Sequence, residues 1–372
     1  MPTKITRRIS LASSFAALGH LLGQQSETSS ANAHDPPDAA AEQIAAMIDD
    51  LARKGEFNGV VLVAHRGQPL YRGAFGLANR EWEIPNDVET RFRVGSVTKP
   101  FTATLVLRAV EQGLLGFDTR VREYFPDKTT AAVNQVTISQ LLSHTSGVID
   151  YPDVAGFEYN GERLKHSREE MLQLFIDAPL RFPPGTDQRY SNFGYFLLGY
   201  LLERLTGKSY ASLLQRQIFD PLGMKNSSAA ENKQLVARRA AGYYVQDGIT
   251  YNALPFDTSI VMGAGDIIST ADDLLRFDQA LYSDQLLSET MRRFLFIPRM
   301  PEKDNYAYGW YVRLPSRHPG PDWARHSGSI NGFSSLLLRL PESRHTVVLL
   351  SNLHGVKTIP LGDEIKSILL KA

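Results

Sequence analysis

Hydrophobic and polar positions follow two different periods along this chain, and the switches between them outline a fold. "AEQIAAMIDDLARKG" places Ile44, Met47, Ile48 and Leu51 at helical spacing, with Gly55 as the stop. "GVVLVAHRGQPLYRGAFG" predicts two strands around a turn at Arg66-Gly67. The chain then turns helical for a long stretch. "SREEMLQLFIDA" opens with Ser167 and Glu170 in capping-box spacing. "NFGYFLLGYLLERLTG" is a strongly apolar helix that Gly207 ends, and "STADDLLRFDQALYS" is capped by Thr270 with Asp273 as its partner. Strand patterns return in "YAYGWYVRL", "WARHSGS", "FSSLLLRL" and "HTVVLLSN", the last two joined by the hairpin signal "PESR". "LGDEIKSILLKA" closes as helix. The expected fold is α/β of the α+β kind. An antiparallel sheet of two early and about four late strands carries the terminal helices on one face. The sheet lobe takes about 42–95 and 300–372, and a mostly helical lobe, about 96–299, is inserted between. No internal repeat is visible.

The first residues follow another logic. "MPTKITRRISLASSFAALGHLLG" has a basic start and a short apolar middle, and "ANA" at Ala31 to Ala33 supplies a small-residue cleavage site. Residues 1–33 therefore read as a signal peptide, and the expectation is an exported protein, periplasmic or secreted. "TRRISL" resembles the twin-arginine export signal, with Ser10 where that signal usually has Phe, and an ordinary Sec signal stays open. The apolar middle falls short of the roughly 20 residues a membrane span needs, so no integral span is expected after cleavage. Residues 34–41 read as a flexible lead.

Composition narrows the chemistry. Of 372 residues 43% are hydrophobic, enough for a real core. Forty basic residues balance forty acidic ones, which leaves no net positive field to gather nucleic acid. Without any cysteine there is no disulfide, thiolate nucleophile or Cys-ligated zinc. No His-Glu-x-x-His occurs, which argues against a zinc enzyme, and no metal or other cofactor is expected. The expected partner is a small-molecule or peptide substrate.

Three short stretches carry candidate chemistry. In "FRVGSVTKPF", Pro100 is tolerated only near a helix start, which sets Ser96 at the helix amino terminus among free N–H groups. Lys99, three residues on, shares a face with Ser96 and can handle its proton. A capping serine is the commoner explanation of such a position taken alone, yet this is the one Ser-x-x-Lys in the chain. "QRYSNFGY" offers Tyr190 and Asn192; a phenol beside a cationic lysine can ionise below its usual pKa of about 10 and act as a base. A surface tyrosine with an Asn cap is its plain alternative. "RHSGSINGF" places His326 and Gly328 on a strand, where a glycine lets a substrate backbone come close. The same His-x-Gly pattern occurs at His65 and His318, so context favours His326. His144 in "LLSHTSG" competes as a catalytic base, against the plain reading of a buried structural histidine.

Together and in this order, the three stretches resemble the serine β-lactamase and penicillin-binding superfamily, marked by Ser-x-x-Lys, Ser/Tyr-x-Asn and Lys/His-x-Gly. The Tyr-x-Asn form resembles the branch of class C β-lactamases, D-Ala-D-Ala carboxypeptidases, D-aminopeptidases and related esterases. "TISQLLSHTSG", "GAGDIISTADDL" and "YGWYV" extend the likeness over nearly all of the chain after the expected signal peptide. The resemblance implies that Ser96 forms an acyl-enzyme, that Lys99 holds or relays its proton, and that Tyr190 is general base and acid. It implies that Asn192, His326 and Gly328 meet the substrate and that the N–H groups of Ser96 and Ser329 form the oxyanion hole. Which of Lys99 and Tyr190 takes the first proton stays open. One departure matters: His326 stands where β-lactamases usually carry lysine, and a mostly neutral imidazole anchors a carboxylate weakly. The implied activity is thus an esterase or a D-Ala-type carboxypeptidase or aminopeptidase. A class C-like β-lactamase and a silent penicillin or cell-wall-peptide binder are the alternatives. The absence of Gly-x-Ser-x-Gly argues against an α/β-hydrolase, and "TGKS" lacks the upstream glycine of a phosphate loop.

Overall fold

A computed structural model describes residues 36–125, 133–154, 157, 161–176, 178–314 and 322–371. The expected signal segment and its cleavage site lie outside the described residues. Helix α1 (Pro36–Arg53) begins inside the stretch expected to be a flexible lead. Proline is at home in a first helical turn, and buried Ile44 and Ile48 anchor the turns that follow.

Six strands make the main sheet: β1 (Gly59–His65), β2 (Gln68–Phe75), β3 (Tyr311–Arg313), β4 (Trp323–Ile330), β5 (Phe333–Leu340) and β6 (His345–Ser351). Their order is β3-β4-β5-β6-β1-β2, with every neighbour antiparallel. The first and last strands of the sequence thus meet in the middle, Gly59 opposite Ser351 and His65 opposite His345. The period of two then decides what each face buries. Val61 and Val63 point to the side that α1 and the closing helix cover, against Ile44, Ile48, Leu361 and Ile365. Val60, Leu62 and Ala64 point the other way, into the core shared with the helical lobe. Strand β5 is buried at every position because both of its faces are covered.

The lobe inserted between β2 and β3 is built around α2 (Lys99–Glu111), α3 (Asn192–Thr206) and α4 (Ala271–Ala280). Gly207 ends α3 in the left-handed conformation, at φ 67°. The capping box forms as expected: Ser167 N–H donates to Glu170 Oε2 at 2.7 Å and Glu170 N–H to Ser167 Oγ at 3.1 Å. Thr270 caps α4, but the Asp273 carboxylate turns away to Asn226 N–H at 2.8 Å and Ser227 Oγ at 2.9 Å. The lobe is less purely helical than its sequence. It holds a three-stranded sheet of Phe92–Arg93, Ile267–Ser269 and Ser228–Ala229, and a hairpin of Tyr243–Gln246 with Ile249–Asn252. Among the described residues, no helix is long and apolar enough to cross a membrane.

Candidate active site

Ser96 lies in a single turn of 3-10 helix, Gly95–Thr98, that leads straight into α2. Lys99 and Pro100 open that helix, where a proline costs no hydrogen bond. Ser96 does not cap it: neither the turn nor α2 has a side-chain cap, and the serine hydroxyl stays partly open to solvent. The turn is stapled to the small sheet, Val94 N–H donating to Ile267 O at 3.0 Å and Ile267 N–H to Thr98 Oγ1 at 3.1 Å.

Lys99 is fully buried, and its ammonium nitrogen has three neighbours. It lies 2.8 Å from Asn192 Oδ1, 2.8 Å from Ala264 O and 3.1 Å from Ser96 Oγ. The first two atoms can only accept a proton. They therefore hold two N–H bonds, and the third direction of the nitrogen points at the serine. Burial pulls the Lys99 pKa from its ordinary 10.5 down to about 7, against the opposing fields of Asp150 and Asp266. A neutral amine here aims its lone pair at Ser96 Oγ.

Asn192 is held in that orientation by Asp150. Its Nδ2 donates to Asp150 Oδ2 at 3.1 Å, while the Asn192 and Phe193 N–H groups donate to Asp150 Oδ1 at 2.9 and 3.2 Å. The carboxylate thus sits on the amino terminus of α3, where the helix dipole favours it. Burial still pushes its pKa up. Ser191, not Asn192, caps α3, accepting from Gly194 N–H at 3.0 Å. Asp150 was invisible in the sequence, and only its position under Asn192 gives it a role.

Tyr190 packs its ring beside Lys99, with the nitrogen 4.6 Å from the ring centroid. Contrary to the expectation from sequence, its phenol does not ionise easily beside the lysine. Burial pushes its pKa well up, and the hydrogen bond with Ser96 offsets only part of that. Of the two groups on the serine, the amine is the one tuned toward neutral pH.

His326 and Gly328 differ from expectation in what they face. Beyond Arg325, β4 has no strand partner on the β3 side among the described residues, and its edge runs beside the Ser96 turn. A Cβ on Gly328 would lie 2.0 Å from Val94 O, so the backbone it admits is that of the segment carrying Ser96. A Cβ on Gly95 would lie 3.1 Å from Ser329 N, so the Gly95 and Ser329 backbones also meet closely. His326 is buried, with Nδ1–H donating to Ser327 O at 2.7 Å and Nε2 accepting from the Tyr306 hydroxyl at 3.1 Å. Both ring nitrogens are engaged within the protein, and burial followed by the Lys99 charge lowers the pKa to about 3. It is a neutral wall beside the site and has no proton to offer a substrate.

His144 lies against Tyr190, ring centroids 4.4 Å apart. Its pKa is held well below the ordinary value, chiefly by burial. Its Nε2 has no hydrogen-bond partner among the described protein groups and its Nδ1 accepts from Ser191 N–H at 3.2 Å, so no geometry supports it as the base.

Ser96, Asn192 and Ser329 open onto a cavity of about 160 Å³ walled by Tyr151, Phe256 and Ile330. Among the described residues that line it, the one charged side chain is Glu162. Among the described residues, no cluster of three His, Cys, Asp or Glu is arranged to hold a metal.

Comparison with known proteins agrees with this architecture. The Beta-lactamase family model matches residues 28–365. Penicillin-binding protein 4* of Bacillus subtilis (strain 168) is 33% identical over 329 residues, 82% of this chain and 70% of that protein. Esterase EstB of Burkholderia gladioli is 36% identical over 200 residues, 50% of each chain. The crystal structure of a penicillin binding protein from Bacillus halodurans superimposes with a TM-score of 0.76 at 29% identity, covering 87% of this chain and 98% of that one. The chain belongs to the serine β-lactamase and penicillin-binding-protein family of serine hydrolases.

Proposed function

We propose that the protein is an exported serine hydrolase that passes an acyl group through Ser96 to water. Its substrates in this reading are esters or amides whose acyl part is uncharged or carries an amine. The observation that carries the proposal is the Lys99 nitrogen, pinned by two obligate acceptors and aimed at Ser96 Oγ. Neutral Lys99 takes the serine proton as Oγ bonds to the carbonyl carbon. The oxyanion is held by the Ser96 and Ser329 N–H groups. As the bond to the leaving group breaks, Tyr190 gives it a proton, and the Lys99 ammonium restores the phenol. Water then attacks the acyl-serine with the same groups in reversed roles. A high phenol pKa suits a proton donor, and a lysine near neutrality suits a base.

The charge of the cavity supports the substrate class. No described lysine, arginine or histidine lines the cavity to attract a carboxylate. The likeness to penicillin-binding protein 4* favours a second reading, in which penicillins acylate Ser96 and stay bound. One experiment tests both. Intact-mass spectrometry after fluorophosphonate treatment is expected to show a single adduct that Ser96→Ala abolishes. Steady turnover of p-nitrophenyl esters then supports the hydrolase, whereas a single burst without turnover supports the binder. An adduct that survives Ser96→Ala overturns both. Export is tested separately: amino-terminal sequencing of protein recovered outside the cytoplasm should begin near His34, and an intact Met1 there refutes it.

A further inference from the structure

We propose that His144 is a positioning residue that fixes Tyr190 as the proton donor to the leaving group, through the acceptor nitrogen Nδ1. The inference rests on the role given to Tyr190 above. His144 grips the backbone on both sides of that tyrosine. Its own carbonyl accepts from Arg189 N–H at 2.9 Å, and its ring Nδ1 accepts from Ser191 N–H at 3.2 Å. Tyr190 is the residue between. The ring closes the bracket by packing on Tyr190 and Tyr306, each at 4.4 Å between centroids.

Two further observations speak for this role over simple core filling. The residue is 2% exposed, yet its Nε2 finds no hydrogen-bond partner among the described residues. Phenylalanine would fill the same space without burying an unpaired N–H, which is an unfavourable arrangement. The backbone holds φ at 60°, in the left-handed region that histidine, like asparagine and aspartate, enters more readily than most residues. Burial also keeps the ring neutral, and only a neutral ring with its proton on Nε2 can accept at Nδ1. The position thus keeps a histidine despite the buried Nε2 that it leaves without a partner among the described residues. What it gains is an acceptor on the Ser191 N–H, within the sequence Tyr190-Ser191-Asn192.

The test separates positioning from stability by the leaving group. p-Nitrophenolate departs without help, whereas an alkoxide needs a proton, so losing an aligned Tyr190 penalises alkyl esters selectively. We compare kcat/KM for p-nitrophenyl butyrate and ethyl butyrate in wild type, Tyr190→Phe, His144→Phe and His144→Asn. Phenylalanine keeps the ring and deletes the acceptor. Asparagine puts Oδ1 where Nδ1 was and accepts a positive φ. His144→Phe is expected to raise the p-nitrophenyl to ethyl ratio by about tenfold or more, as Tyr190→Phe does, and His144→Asn to stay within about threefold of wild type. If His144→Phe does not fold, His144→Gly, at ease at this φ, takes its place with the same expectation. A ratio unchanged in the acceptor-less variant, or raised equally in His144→Asn, overturns the proposal. If Tyr190→Phe itself leaves the ratio unchanged, the assignment of Tyr190 fails instead, and the two failures are told apart.

Discussion

At the scale of single residues, the site depends on one buried amine. Lys99 is protonated in the unfolded chain up to about pH 10.5 and in the folded protein only up to about 7. The base form therefore appears as pH rises through about 7, and kcat/KM for a neutral ester should climb with it and level off above. A profile already flat below pH 6 would remove Lys99 as the base. The same shift governs stability. Between pH 7 and 10.5 the unfolded chain binds more protons, so wild type gains stability as pH rises, and below pH 7 it carries the full penalty of the buried charge. Lys99→Met deletes that contribution. The melting temperature of the variant minus that of wild type should be greatest below pH 7 and shrink toward pH 10.5, by thermal denaturation across that range. A pH-independent difference would mean that Lys99 is not held near neutrality. Glu162 gives a second prediction at this scale. Glu162→Gln removes the one charged side chain among the described residues that line the cavity, and should improve kcat/KM for a carboxylate-bearing cephalosporin relative to a neutral ester, by a few fold to about tenfold for up to 1.4 kcal/mol. An unchanged ratio would acquit Glu162. Ser96, Lys99, Tyr190 and Asn192 were legible because their spacing is local. Asp150 and His144 were not assignable, because their roles come from contacts across the fold. Ala264 contributes only a carbonyl, which no side chain announces.

Among elements, the decisive contact joins β4 to the turn that bears Ser96. The sequence marked both, but could not say that Gly328 serves their approach to each other. Ser335 Oγ donates to Val94 O at 2.7 Å on the same spot, so little room remains. Gly328→Ala would put its Cβ 2.4 Å from that oxygen's donor and 2.0 Å from Val94 O itself. Backbone must move to relieve the second contact, and overpacking of this kind costs about 1–3 kcal/mol. The shift separates the Ser96 and Ser329 N–H groups, so kcat should fall about a hundredfold, within the range for losing one oxyanion donor. The measurement is kcat beside a melting curve. Full kcat in a folded Gly328→Ala would show that the two backbones can part without harm. The small sheet escaped prediction for a simpler reason: strands such as Phe92–Arg93 and Ser228–Ala229 are too short to show a period.

For the whole molecule, the sequence pattern identified the two-part architecture because β1 and most late strands read as short apolar runs bounded by turn signals, with the long helical stretch between them. It missed the true start of α1, where composition suggested a loose lead and tertiary packing made a helix. That packing also separates folding from chemistry. The main sheet has one core on the α1 side and another on the side of Ser96. Ile48 is fully buried in the first, against the strand residues that point away from the site. Ile48→Ala should therefore destabilise the protein by about 2–5 kcal/mol, the usual penalty for emptying a buried Ile position. It should leave kcat per active site unchanged below the melting transition, with active sites counted by fluorophosphonate titration. Val97→Ala, made in the core beneath Ser96 and equally buried, should lower both stability and kcat. The contrast is the prediction. Equal effects on kcat from the two substitutions would mean that the sheet transmits strain from one face to the other, and that the two cores do not act separately.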